Sequence, residues 1–277
     1  MKFGFVFPRA DVYKAIEFAK VAEDAGWDAF FFWEPTYGID AWVTLAAIAR
    51  ETNKIRLGTL LSPISRMRPW KIASDVLTLD ILSNGRVTLC VGLGAIDTGF
   101  EELGEEIDRK TRAELLDEGL EIMNGLWKWD LSNYDGKHYK INNLKDCEFF
   151  NRHPPPKLIQ SPRVPIWVVG AWPAKKSMDR TMKYDGIIPT IKRKQGEFEK
   201  ITPDHVREIS AYVEGIRPSS TPFDIIIEGI TPGDNTEAAL SIVRPFAEAG
   251  ATWWIESDWV NPNLDSILER VKLGPPK

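Results

Sequence analysis

Eight times along this 277-residue chain a short apolar run is followed by a stretch with helical periodicity. No other feature constrains the fold as strongly. The runs lie at residues 2–7, 29–33, 55–61, 86–92, 165–169, 186–189, 223–229 and 252–255. Each is too short for a helix, and most are apolar on both faces, as strands are in a parallel sheet covered by helices. Eight such units close into a (β/α)8 barrel, an α/β fold whose active site lies at the C-terminal ends of the strands. The residues that carry function are therefore expected just after each run.

The intervening stretches read as helices over 12–25, 41–50, 69–82, 110–127, 173–184, 203–214, 237–249 and 263–271. The first stops at Gly26, a residue suited to the position after a helix end. Asp40 is placed to cap the second, and Pro69 suits the first turn of the third. Residues 128–164 break the rhythm, with Asp135-Gly136 and the run Pro154-Pro155-Pro156. They are expected to form a hairpin and an irregular arm on the catalytic face, since a connection this long is usually functional or mobile. No linker or second domain is visible, so 1–277 reads as one barrel domain.

At 43% hydrophobic the chain can bury a large core, and its net charge of −5 argues against a nucleic-acid or polybasic membrane surface. No apolar run reaches the roughly 18 residues that cross a bilayer, and no signal peptide precedes the first strand, so a cytoplasmic protein is expected. Cys90 lies in a strand and Cys147 in a polar connection, with neither a CxxC pair nor a disulfide framework. His138, His153 and His205 have no metal-ligand spacing, so no metal is expected.

The words at the strand ends narrow the field. They are Gly58-Thr59-Leu60-Leu61-Ser62-Pro63, Arg66-Met67-Arg68-Pro69-Trp70, Leu77-Thr78-Leu79-Asp80-Ile81-Leu82-Ser83-Asn84-Gly85-Arg86 and Val91-Gly92-Leu93-Gly94, then Trp167-Val168-Val169-Gly170-Ala171-Trp172 and Trp253-Trp254-Ile255-Glu256. In that order and spacing they resemble the bacterial luciferase-like monooxygenase superfamily, barrel enzymes that use reduced FMN or the deazaflavin F420. The resemblance implies a flavin-dependent oxidoreductase or monooxygenase using reduced FMN on a small organic substrate. The alternatives are F420-dependent hydride transfer and a non-catalytic flavin-binding barrel. It also implies a homodimer and, for FMN, a flavin reductase that supplies the reduced cofactor.

Carried onto this chain, the resemblance puts a cis peptide at Leu60-Leu61, against one face of the flavin ring, with Phe7, Ser62 and Glu256 nearby. Gly92-Leu93-Gly94 lets backbone approach the cofactor closely. Leu93 stands where some members carry an arginine, so that contact to the cofactor phosphate is missing. Gly170-Ala171-Trp172 leads into a helix whose free N–H groups suit a phosphate, helped by Lys175 and Lys176. Pro35 stands where many relatives have a histidine, which leaves Glu34 as the candidate catalytic residue. Glu34 is either a general acid/base raised toward neutrality by burial or a carboxylate paired with Arg9 or Arg66. Arg9, Arg66 and Arg68 are candidates for holding an anionic substrate or cofactor tail. Trp42, Trp172 and Trp259 are read as an apolar wall, one of Trp253 and Trp254 as barrel interior, and Lys192-Arg193-Lys194 as a solvated face or a lid.

Overall fold

The computed structural model describes residues 1–9, 11–192, 198–218, 220–261 and 263–276. Strand β1 (Lys2–Phe7) leads to helix α1 (Val12–Asp24), and β2 (Ala29–Phe32) to α2 (Ala41–Glu51). Next come β3 (Arg56–Thr59), its short continuation β4 (Ser62–Pro63) and α3 (Pro69–Leu82), then β5 (Leu89–Gly92) and α4 (Arg109–Lys128). The excursion holds β6 (Tyr134–Asp135), β7 (Lys140–Ile141) and α5 (Glu148–Arg152). The second half runs β8 (Ile166–Trp172), α6 (Lys175–Thr181), β9 (Gly186–Lys192), β10 (Phe198–Glu199) and α7 (Pro203–Ile216). It ends with β11 (Asp224–Gly229), α8 (Thr236–Glu248), β12 (Trp253–Glu256) and α9 (Leu264–Lys272).

Nine parallel strands follow one another in the order β3-β2-β1-β12-β11-β9-β8-β5-β4. A parallel bridge between Leu57 and Val87 brings the two ends of this path together, so the sheet is a nearly closed barrel. Gly58 makes that closure possible, because a Cβ there would lie 2.1 Å from the Thr88 carbonyl oxygen. Inside the barrel Phe31, Trp167, Ile226 and Trp253 form a buried plug, with Trp167 and Trp253 rings 5.0 Å apart. Trp254 points the other way and packs on Phe246 of α8, as strand alternation requires. Most of the core lies between barrel and helices, where Phe5, Phe7, Phe18, Phe30 and Phe32 stack. Asp11, Asp40 and Asp108 cap α1, α2 and α4 by accepting backbone N–H groups.

All eight expected runs contain barrel strand, the first with the same ends as β1 and the others with shifted ends. The run at 55–61 holds β3 and ends at Leu60-Leu61, whose peptide is cis, and the strand resumes beyond it as β4. Strands β8 and β9 continue to Trp172 and Lys192, because their pairing persists to Trp172 opposite Ile191. Pro189 does not end β9, although proline offers no N–H to the ladder.

The excursion does contain a hairpin, but it is not on the catalytic face. It leaves from the C-terminal end of α4 and folds back along the outside of that helix. Glu118 of α4 accepts the backbone N–H groups of Lys137, His138 and Tyr139. Further on, the backbone N–H groups of Ile159 and Gln160 donate to buried Asp80 of α3. No residue of 128–164 lines the cavity described below. Of the basic run after β9, Arg193 and Lys194 lie outside the described residues.

Candidate active site

The C-terminal ends of the strands surround a cavity of about 1370 Å³. Its floor is apolar, formed by Leu60, Leu61, Val169 and Ile188 above the aromatic plug. Trp33, Phe100 and Trp259 extend the walls, and Glu34, Thr190 and Glu228 supply polar groups among them. The mouth carries charge of both signs. Arg109, Lys110, Arg112, Lys176, Arg180 and Lys183 stand among Asp97, Asp108, Glu114, Asp117 and Asp179.

Glu34 follows β2 directly, and its side chain is 8% exposed. The Ser62 hydroxyl donates a short hydrogen bond to one carboxylate oxygen. Ser62 has a single hydrogen to give, so the Thr59 hydroxyl, 2.7 Å away, must donate to Ser62 in turn. Arg66 approaches the other carboxylate oxygen to 3.8 Å. Burial dominates, raising the carboxyl pKa from 4.5 to about 7 against the opposing pull of Ser62 and Arg66. The carboxyl is thus paired with Arg66, as one of the two readings had it, while burial holds its pKa at about 7. Trp42 is buried behind it and also favours the charged form, without a full hydrogen bond.

Eight of the candidate residues line the cavity: Glu34, Leu60, Leu61, Leu93, Gly94, Ala171, Lys176 and Trp259. Ser62 sits behind the wall on Glu34, and the inward face of Gly92 is filled by Leu61, which would stand 3.0 Å from a Cβ there. Other expectations are corrected by strand alternation. Phe7 points outward onto Phe18, with ring centroids 4.9 Å apart. Gly170 faces Ile187 and Thr181, and Trp172 donates its indole N–H to Glu208 and packs on Tyr212. Glu256 is 2% exposed and turned toward the helices, where it accepts hydrogen bonds from Thr231 and faces Arg270.

The three arginines do not converge on the mouth. Arg9 donates to the backbone carbonyls of Trp259 and Asn261. Arg68 lies over the Trp70 ring. Arg66 spends its guanidinium on the carbonyls of Thr36 and Pro35 beside Glu34. Lys175 pairs with Asp179, whereas Lys176 lines the mouth and pairs with no carboxylate among the described residues. Helix α6 is only seven residues long, so it is a weaker anion site than the sequence suggested.

Two features escaped the sequence reading. Glu228, on the inward face of β11, is a second carboxylate on the cavity wall, and burial pushes its pKa up. Arg112, three residues into α4, donates to the carbonyls of Leu93 and Gly94 at 2.8 and 3.1 Å. The turn after β5 thus engages an arginine that comes from the next helix. Strand alternation would have pointed to Glu228, whereas nothing local marks Arg112.

A model of the luciferase-like monooxygenase family matches residues 3–265. The chain belongs to this family. An F420-dependent glucose-6-phosphate dehydrogenase of Amycolatopsis mediterranei is 31% identical over 172 residues, covering 60% of this chain and 49% of that protein. The oxygenase component of a flavin-dependent trigonelline monooxygenase from Acinetobacter baylyi is 26% identical over 163 residues, covering 57% and 43%. The chain thus aligns with about half, or less, of the length of these curated relatives. The structure of an F420-dependent secondary alcohol dehydrogenase bound to an F420–acetone adduct superposes with a TM-score of 0.75 at 17% identity, over 99% of this chain and 98% of that one. That likeness shows the barrel fold. Among the described residues no helix is long and apolar enough to cross a membrane, and no cluster of side chains suits a metal.

Proposed function

We propose that the cavity binds a flavin-type cofactor and that the protein is an oxidoreductase acting on a small organic substrate. The observation that carries this reading is Glu34, a carboxyl poised near neutrality on the wall of an apolar cleft, beside Leu60 and Leu61. The residues present fit such a cofactor. Leu60, Leu61, Val169 and Ile188 offer flat apolar surface for a ring system, while Arg109 and Lys176 at the mouth suit an anionic tail. The cavity, at about 1370 Å³, exceeds the roughly 300–1,000 Å³ usual for one small ligand, which leaves room for cofactor and substrate together.

When bound, the cofactor supplies the electron pair. Glu34 then gives or takes the proton that accompanies it, at the carboxylate oxygen facing the cavity. Its pKa near 7 keeps both protonation states populated at working pH. Ser62, supported by Thr59, fixes the orientation of that carboxyl. Phe100, Trp33 and Trp259 narrow the access of water to the reacting region. The primary reading is monooxygenation with reduced FMN, delivered by a separate flavin reductase. The alternative is F420-dependent hydride transfer, which the likeness to an F420-dependent glucose-6-phosphate dehydrogenase supports. A homodimer through the exposed apolar residues Val43 on α2 and Trp70, Ile81 and Leu82 on α3 belongs to the same proposal and is read by light scattering.

The deciding experiment is an anaerobic fluorescence titration of the purified chain with FMN and with F420, each oxidised and reduced. Saturable binding of reduced FMN points to oxygen chemistry, and saturable binding of F420 to hydride transfer. Binding of neither in either redox state would sink the reading.

A further inference from the structure

Glu228 faces the cavity, yet the chemistry above gives it no task. Its position is set by strand register. Val169 pairs with Ile188, and Ala171 with Thr190, across β8 and β9. The β9–β11 register of Ile187 with Ile225, continued along the strands, brings Glu228 level with Thr190. All of these inward residues line the cavity. This wall therefore has an apolar lower layer, Val169 and Ile188, and an upper layer in which Thr190 and Glu228 are polar.

Among the described residues, Ser257 and Trp259 act on Glu228 as hydrogen-bond donors, the Trp259 indole at 3.1 Å, but no cation does. Glu34 differs in having Arg66 at 3.8 Å. The inner cations are committed elsewhere, Arg66 to the carbonyls of Thr36 and Pro35 and Arg112 to those of Leu93 and Gly94. A partly buried carboxylate without a counter-charge is less favourable than a paired one, and burial here pushes its pKa up. A positive group arriving with the substrate would supply the missing partner, and the Trp259 ring adjoining Glu228 would favour the same charge.

We infer that Glu228, with Thr190 and Trp259, selects substrates that present a protonated nitrogen to this wall and turns away carboxylates and phosphates. The inference rests on the reading that the cavity holds substrate beside a cofactor. It makes Glu228 a specificity residue, distinct from the proton-transfer role of Glu34.

The test is calorimetric titration of the full chain, with and without its cofactor, using benzylamine, benzyl alcohol and benzoate as probes at about pH 8, where the amine keeps its proton. Benzylamine is expected to bind about tenfold or more tightly than the alcohol, because its hydrogen bond to the carboxylate is charge-assisted, and benzoate is expected not to bind. Glu228→Gln should bring the amine down to the level of the alcohol while leaving cofactor affinity unchanged. Thr190→Val is a second variant, expected to weaken the amine severalfold without removing the carboxylate. Benzoate binding as well as benzylamine, an amine preference that survives in a natively melting Glu228→Gln, or no binding of any probe would overturn the inference. Cofactor titration is a separate readout. If the wild type bound neither FMN nor F420, the oxidoreductase reading would fall while an amine preference of the apo wall would stand.

Discussion

Replacing Glu34 by glutamine should stabilise the protein at alkaline pH and disable it at every pH. A carboxyl raised from 4.5 to about 7 is one that the folded state prefers to keep protonated. The unfolded chain ionises it near the lower value, the folded chain near the higher one. Below about 4.5 the group is protonated in both states and carries no penalty. Between those values the unfolded state gains a stabilising ionisation that the native site resists, so native stability falls as pH rises. Above about 7 the full penalty applies, about 3 kcal/mol at 1.36 kcal/mol per pH unit. Glu34→Gln removes the ionisable group and keeps an oxygen for the Ser62 hydroxyl.

The stability difference between Glu34→Gln and wild type should therefore move in favour of the variant by about 3 kcal/mol between pH 4.5 and 8, or about 6–12 °C in Tm for a chain near this size. Urea denaturation of both proteins at the two pH values measures it. Activity should fall about 10²–10⁴-fold in the variant, and the wild-type pH–rate profile should bend near pH 7. A stability difference that stays constant with pH would refute the reasoning. It would mean that Arg66 at 3.8 Å outweighs burial and keeps the carboxylate ionised throughout.

Three further outcomes follow from the geometry. Gly58→Ala forces a Cβ to within 2.1 Å of the Thr88 carbonyl, backbone that cannot swing aside, so a loss of about 3 kcal/mol or more is expected in denaturant titration. Arg112→Ala leaves the Leu93 and Gly94 carbonyls without their donor, which should cost about 2–3 kcal/mol and speed hydrogen exchange in residues 93–108. Arg109→Glu combined with Lys176→Glu reverses two exposed cations at the mouth, and should weaken FMN or F420 binding about tenfold or more at low salt, with the difference shrinking as salt is added.

The barrel was legible because its strands announce themselves by length and apolarity. Runs such as 2–7 and 223–229 cannot be helices, and their separation by amphipathic stretches leaves few architectures. What failed were the ends. The apolar run ended at Pro189, but the β8–β9 ladder runs past it to Trp172 and Ile191, since pairing is decided by both strands and not by one residue. The excursion was misplaced for a related reason. Its position depends on Glu118 and Asp80, acceptors on α4 and α3 that gather its backbone N–H groups, and nothing in residues 128–164 names those partners.

The site was legible where a residue ends a strand and its neighbours fix its direction. Glu34 and the pair Leu60-Leu61 stand at such ends, and the structure puts all three on the cavity wall. Phe7 and Glu256 stand at strand ends too, but on the outward phase of the two-residue alternation. Phe5 packs on Phe18 as Phe7 does, so the outward phase of β1 is already marked two residues earlier. The same alternation, applied to β11, exposes what was overlooked. Ile226 belongs to the interior plug, so Glu228 must point inward as well, one layer higher and at the open end. Two positions beyond the buried interior Ile226, Glu228 therefore lines the cavity and not the helix side of the sheet. Strand phase should therefore be settled before any residue at a barrel mouth is given a role, because it separates Glu228 from Glu256, which composition and strand-end position alone leave indistinguishable.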